Sequence, residues 1–479
     1  MKILLSLSLI SVLALTSLNA DDLDGFDALD GFEIQEESQE DIDLDDFGED
    51  EISESEVVTL QQTPSNFSFN GNLAFKSAYG YQEHSVDGVE YSGFNQAQTA
   101  LFLQVNYKIN SDWKVRVSGD GFYDGIYDLH DKAYNQATLD AYQTQLRFDD
   151  TYIQGRITKD IDLKLGRQIV VWGKSDSIRI TDVINPLDNR LPGMTDIEDL
   201  RLSTSMLKLD YYVGSWNLSA MAIFESRIFL EAAPFGEYFP ADIVFPGAPN
   251  PFIPLAQPTS TIDDTQYAFA LNGVFSGWDL SFYGADVLDS RWHLEGTPVN
   301  GERVVSKIQM LGSAFNIVKG SWLFKTELAY INGLKYNSTQ DEKNRLDTLI
   351  GLDYMGVKDT VLSLEVANKH LLNYEKQMSG YTLGIIPDYT EEDEIQTAIR
   401  ATHSFSNDTI NTTALLSMFG HNWQYGGFAR VSLEYDIADA LVANFGLINY
   451  IAPAKPEDKP FTDAISNNGR VFADITYSF

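Results

Sequence analysis

Histidine is where catalytic or metal chemistry would first show in this chain, and there are six: His84, His130, His293, His370, His403 and His421. No two stand at the short spacing that presents a pair of imidazoles to one zinc ion. A hydrolase needs a nucleophile within hydrogen-bond reach of a base. The adjacent His403 and Ser404 point to opposite faces of an extended segment. There is no cysteine, which removes thiolate nucleophiles, thiolate ligands, disulfides and lipid attachment at an N-terminal Cys. Asp41, Asp43 and Asp45 have calcium-loop spacing, but Asp46 stands where that loop needs glycine and Ile52 where it needs glutamate. No enzyme activity, cofactor or metal is expected.

The charges point instead to a lumen. There are 70 Asp and Glu against 33 Lys and Arg, a net −37, which disfavours a nucleic-acid partner. Beyond residue 66 the charged residues alternate with apolar ones. Trp113, Val115 and Val117 alternate with Lys114, Arg116 and Ser118, and Leu101, Leu103, Val105 and Tyr107 with Gln104, Asn106 and Lys108. Period two marks a strand with one apolar and one wet face. The wet face carries Lys114, Arg116, Lys325, Glu327, Arg400, Arg430 and Glu434, together with Asp120, Lys208, Asp210, Asp353, Glu365, Arg470 and Asp474. Either these charges form the constriction of a conduit, or their ion pairs brace its wall.

The elements that hold them are paired strands. Tight turns are centred near Asn110-Ser111-Asp112, Lys159-Asp160, Gly214-Ser215, Ser276-Gly277, Lys319-Gly320, Val357-Lys358-Asp359, Asn407-Asp408 and Asp436 to Asp439, with mostly longer loops between them. Eight turns join sixteen strands, and strands near 66–82 and 468–479 raise the count to about 18, with 16 as the fallback. The expected fold is all-β: a single closed antiparallel transmembrane β-barrel over 66–479. Mean hydropathy is −0.19, and no run after the N-terminus is long and apolar enough for a membrane helix. Tyr107, Trp113, Trp216, Trp278 and Trp322 suit an interfacial girdle. The last segment, Val471 to Phe479, is apolar at every odd position, and its aromatic end resembles the signal read by the barrel-assembly machinery of outer membranes.

Residues 1–20 read as a secretory signal, with Lys2, the apolar run Ile3 to Leu15, and a small residue at Ala20. Residues 21–65 are an acidic low-complexity extension; 21–56 alone hold 18 Asp and Glu and no Lys or Arg. Self-repulsion is expected to keep the extension disordered on the periplasmic side, and docking of a partner is the other reading.

Two loops stand out. Residues 173–203 include Asn185 and Pro186. Residues 226–264 hold seven of the fifteen prolines, with Phe235, Tyr238, Phe239, Phe245 and Phe252 among the aromatics. So apolar a loop should not lie in bulk water. It either packs on itself or, together with 173–203, folds over or into the barrel mouth as a gate and an apolar path, with Asn185, Pro186, Phe235, Tyr238, Phe239, Phe245 and Phe252 as the gating candidates.

The run Leu165-Gly166-Arg167-Gln168-Ile169-Val170-Val171-Trp172-Gly173-Lys174-Ser175-Asp176, followed by Asp182-Val183-Ile184-Asn185-Pro186-Leu187-Asp188, resembles the domain-of-unknown-function family 1302 of Gram-negative outer-membrane proteins. Ala233-Pro234-Phe235-Gly236 is similar too, and the resemblance covers roughly residues 65–479. It implies a barrel in outer-membrane lipid, with a periplasmic lipid carrier or an efflux-type inner-membrane transporter as a possible partner. It implies no chemistry. Alternation places Arg167 on the lipid face with Leu163 and Leu165, so a bulge at Gly166 and a register shift are expected to turn it to the lumen as a constriction residue.

Three functions remain open: passage or export of hydrophobic or amphipathic molecules through a loop-gated barrel, general diffusion of polar solutes, and a docking barrel that binds a periplasmic partner through its acidic extension.

Overall fold

The computed structural model describes residues 66–479 apart from 240–253, 297–300, 338, 340, 380, 383–385 and 388. The expected signal 1–20, the extension 21–65, and Phe245 and Phe252 lie outside the described residues.

Eighteen strands form one antiparallel sheet in chain order. They are β1 (Phe67–Gly80), β2 (Gly93–Lys108), β3 (Trp113–Asp124), β4 (Thr144–Thr158), β5 (Ile161–Gln168) and β6 (Thr204–Val213). Next come β7 (Trp216–Ile223), β8 (Gln266–Phe275), β9 (Trp278–Glu295), β10 (Glu302–Lys319), β11 (Trp322–Leu334) and β12 (Lys343–Tyr354). The last six are β13 (Thr360–Leu372), β14 (Asp393–Phe405), β15 (Ile410–Phe419), β16 (Gly427–Ala438), β17 (Leu441–Ile451) and β18 (Arg470–Ser478). β1 pairs with both β2 and β18, so the sheet closes. Closure satisfies the backbone without water, which is what a sheet in hydrocarbon requires.

The burial pattern is that of a water-soluble protein turned inside out. On β13, Leu362, Leu364 and Val366 are exposed, while Glu365 and Ala367 between and beyond them are 1% and 2% exposed. Apolar rows of this kind recur on β1, β8 and β17 and form the lipid-facing belt of a transmembrane barrel. All eight tight turns fall where the alternation places them. Gly214, Gly277 and Gly320 supply the left-handed residue at three of them, with φ of 59°, 82° and 62°. Aromatic pairs mark this turn rim: Trp278 stacks on Phe275 at 4.2 Å, and Trp322 lies 4.4 Å from Tyr354.

The loops cluster at the other rim. Residues 125–143 carry α1 (Ile126–Leu129) and α2 (Gln136–Tyr142), the latter capped by the Asn135 side chain, and 452–469 carry α3 (Pro460–Ala464).

The expected register shift at Arg167 does not occur. β5 keeps an unbroken ladder with β6 from Ile161–Tyr211 to Gln168–Thr204. Arg167 stays in the row of Leu163 and Leu165 and does not turn into the lumen. A charge facing lipid costs ~2–4 kcal/mol at midplane. Here the guanidinium is paired with Glu225 and donates to the Phe148 carbonyl at 3.1 Å. Gly166 has φ +132° and lies where a Cβ would stand 2.3 Å from the Thr151 carbonyl, so glycine serves close approach rather than an inserted residue.

Candidate functional site

The segment between β5 and β6 turns inward and crosses the lumen. Trp172 stacks on Tyr283 of β9 at 4.7 Å. At Gly173, where φ is +90°, a Cβ would sit 2.6 Å from the Glu327 carboxylate, so only glycine brings the backbone this close. Glu327 of β11 then accepts from the amides of Lys174 (2.7 Å), Ser175 (2.9 Å) and Thr181 (3.1 Å), and from the Thr181 hydroxyl (2.7 Å). Glu365 of β13 accepts from the Ser175 hydroxyl (2.8 Å) and the amides of Asp176 (2.9 Å) and Ser177 (3.1 Å). Lys325 is 4% exposed; its ammonium sits among Asp176, Asp353 (2.8 Å) and Glu365 (3.6 Å). Two wall carboxylates thus hold a loop by its backbone, each charge neutralised by several donors.

The two ends of the loop are stapled by Asn185. Its side chain accepts from the Val170 amide (2.8 Å) and donates to the carbonyls of Gln168 (3.2 Å) and Leu202 (2.9 Å). Pro186 accepts from the Leu202 amide at 2.8 Å. Both residues therefore brace the base of the loop. Its tip reaches the far wall, where Asp196 meets Arg400 (3.0 Å) and Arg430, and the Pro192 carbonyl accepts from Tyr450 (2.6 Å).

Among the described residues, two cavities flank the loop. One, of about 590 Å³, has Lys76, Asp120, Arg147, Glu434 and Asp474 on its walls. The other, of about 410 Å³, has Arg291, Arg345, Asp347, Lys369 and Glu394.

Of the described part of the second loop, residues 229–239 pack inward, whereas 254–264 are mostly exposed, Ile262 at 91%. Tyr238 and Phe239 are buried against Ile448, Tyr450, Leu294 and Ile465, with Leu191 and Phe235 beside them. Glu237 pairs with Arg470 and lies 3.1 Å from His84. Burial works against its ionisation, but the adjacent Arg470 and His84 together hold its carboxyl below the usual range. Asn135 donates to the Pro234 and Phe235 carbonyls at 3.2 and 3.3 Å, and Asn468 to the Glu237 carbonyl at 2.8 Å.

The residues singled out by alternation fall into separate places. Lys325 and Glu327 anchor the crossing loop, and Arg400 and Arg430 hold its tip. Glu434 faces the larger cavity. Lys114 and Arg116 lie near the turn rim, where Arg116 donates to Asn106 at 2.8 Å and lies over the Tyr152 ring. Asp176, Asp196 and Glu237 escaped the sequence reading because they belong to loops, where no period assigns a face. An acid set among apolar residues, as Glu231 and Glu237 both are, was the one available signal.

The model of the family described as protein of unknown function, DUF1302, matches residues 59–479. The chain belongs to the DUF1302 family. Among solved structures, the DUF1302 barrel is similar to Acinetobacter baumannii OccAB3, with TM-score 0.50 and 12% identity over 86% of this chain and 99% of that one. Similarity extends to Pseudomonas aeruginosa OccK11 (TM-score 0.47, 10% identity, 87% and 97% of the two chains). It extends also to the outer membrane protein opdK of the same organism (TM-score 0.45, 9% identity, 86% and 99%). No curated protein matches the chain. The fold of this DUF1302 member is that of a porin-like outer-membrane β-barrel.

Proposed function

We propose that the protein is an outer-membrane channel, narrowed from within, that passes hydrophobic or amphipathic molecules rather than polar solutes at large. The observation that carries this reading is the hold of Glu327 and Glu365 on the backbone of residues 174–181, which stretches a loop across the lumen. The apolar cover formed by Phe235, Tyr238 and Phe239, packed on Leu294, Ile448 and Ile465, supports it. Export through a secretory signal, assembly through the strand ending at Phe479, and exchange with a periplasmic lipid carrier or an inner-membrane transporter belong to the same proposal.

Single-channel recording in planar bilayers tests it. The intact protein should give small or rare openings, and replacing residues 174–199 by a short Gly-Ser linker should give large, steady ones. Large openings in the intact protein would favour general diffusion instead.

A further inference from the structure

Four consecutive strands are short. β5, β6, β7 and β8 hold 8, 10, 8 and 10 residues, while β4 before them holds 15 and β9 after them 18. A tilted strand needs about 9–11 residues to cross hydrocarbon, so β5 and β7 end inside it. The last rung between β4 and β5 is Thr151–Arg167. Beyond it, among the described residues, 144–148 of β4 have a ladder on the β3 side alone. On this free edge Leu146 is 91% and Phe148 66% exposed.

Side chains, not a strand, close the seam between that edge and the loops. Arg167 donates to the Phe148 carbonyl at 3.1 Å, and Arg190 to the Ala141 carbonyl at 2.6 Å and to Gln145 at 2.7 Å. Arg147 lies 3.7 Å from Asp188. Arg147, Asp188 and Arg190 also line the larger cavity, so among the described residues the side chains that close the seam face that cavity on their inner side. Beside the seam, half-buried Arg227 donates to the Ser203 carbonyl and has Arg167, Glu225, Arg147 and Asp149 as charged neighbours. Among the described residues no carboxylate lies within ion-pair distance of it. A half-buried guanidinium left so is a ready partner for an anion.

We propose that this seam is a lateral port through which a single-chain amphiphile with an anionic head group moves between the larger cavity and the bilayer. Its apolar chain lies along Leu146 and Phe148, and its head group meets Arg227. Side-chain bonds part and re-form without unzipping a ladder, which suits a seam that opens. This inference rests on the channel reading and names its substrate class and the side by which the substrate leaves.

The chain has no cysteine, so a lock is simple to install. Gln145→Cys and Arg190→Cys, joined by a bis-maleimide, should hold the seam shut; the same variant without the linker is the folded reference. Each protein is placed in phosphatidylcholine vesicles containing a diazirine-bearing hexadecanoic acid and illuminated, and labelled peptides are mapped. Without the linker, label should appear on the cavity walls as well as on the outward rows of β13. With it, the cavity label should be lost and the β13 label kept. Arg227→Gln should reduce cavity labelling by the acid and not by the matching diazirine hexadecanol. Equal cavity labelling with and without the linker would overturn the port while leaving a channel served from its mouth. Absence of cavity label in every protein would overturn the port and the amphiphile together, and the planar-bilayer recording would still decide separately whether the barrel conducts.

Discussion

Glu327 carries the crossing loop through donors that have few other partners. Three backbone amides and one hydroxyl converge on it, and each buried group left without an acceptor costs about 1–3 kcal/mol. Glu327→Ala should therefore release residues 173–181, and amide exchange should rise there while the wall strands stay protected. Glu327→Gln keeps the acceptor oxygen and should give a smaller effect. Glu237 makes a pH prediction. Its carboxyl is held below the ordinary value near 4.3, so its pairing with Arg470 is fully present above that value and is lost only as pH falls through the lower folded value. Acidifying from pH 7 to about 5 should leave the cover of the mouth in place, as judged by unchanged conductance. Glu237→Gln should loosen it at every pH.

At the scale of elements, the crossing loop is a hairpin-like insert stapled at its base and tied at its tip. Asn185 is 1% exposed and joins the two ends through three bonds to backbone. Asn185→Ala should cost about 2 kcal/mol or more, measured by denaturant titration of the barrel in detergent micelles. The closing strand is a second such element. Phe479 exchanges both backbone bonds with Gly71 at 2.9 Å, and its ring lies 5.8 Å from that of Phe69. A Cβ on Gly71 would sit 2.5 Å from the Phe102 carbonyl, so Gly71→Val should reduce the yield of folded barrel in membranes.

As a whole the molecule presents apolar rows to its surroundings and charge to its interior. The tryptophans of the turn rim, Trp113, Trp216, Trp278 and Trp322, should be quenched more strongly by lipids brominated near the head group than by lipids brominated at the chain end. Much of this architecture was legible in the sequence. Period two fixed which residues of β3 and β13 face inward, and Gly214, Gly277 and Gly320 marked turns, because both signals are local. The crossing loop was legible only as a long segment with Asn185-Pro186 and the residues that carry the family resemblance. Its anchors, Glu327 and Glu365, read as generic lumen charges, since their partners lie some 150 to 190 positions away along the chain. Alternation placed Arg167 correctly; the expected register shift failed because it took the charge as unpaired, whereas Glu225, just beyond the end of β7, neutralises it.

The same separation sets an order of events. Residues 173–181 are made long before β11 and β13, the strands that hold them, so the loop has nothing to bind while the first strands pair. A loop that lies on the inner side before β1 meets β18 is enclosed as the cylinder shuts, whereas one left outside has to enter afterwards through the mouth. The final rung is therefore also the step that imprisons the loop, and a chain that closes too early becomes a wide, leaky cylinder. Leakiness of the cell envelope, scored by uptake of large dyes, would then report on the timing of assembly rather than on damage to the wall.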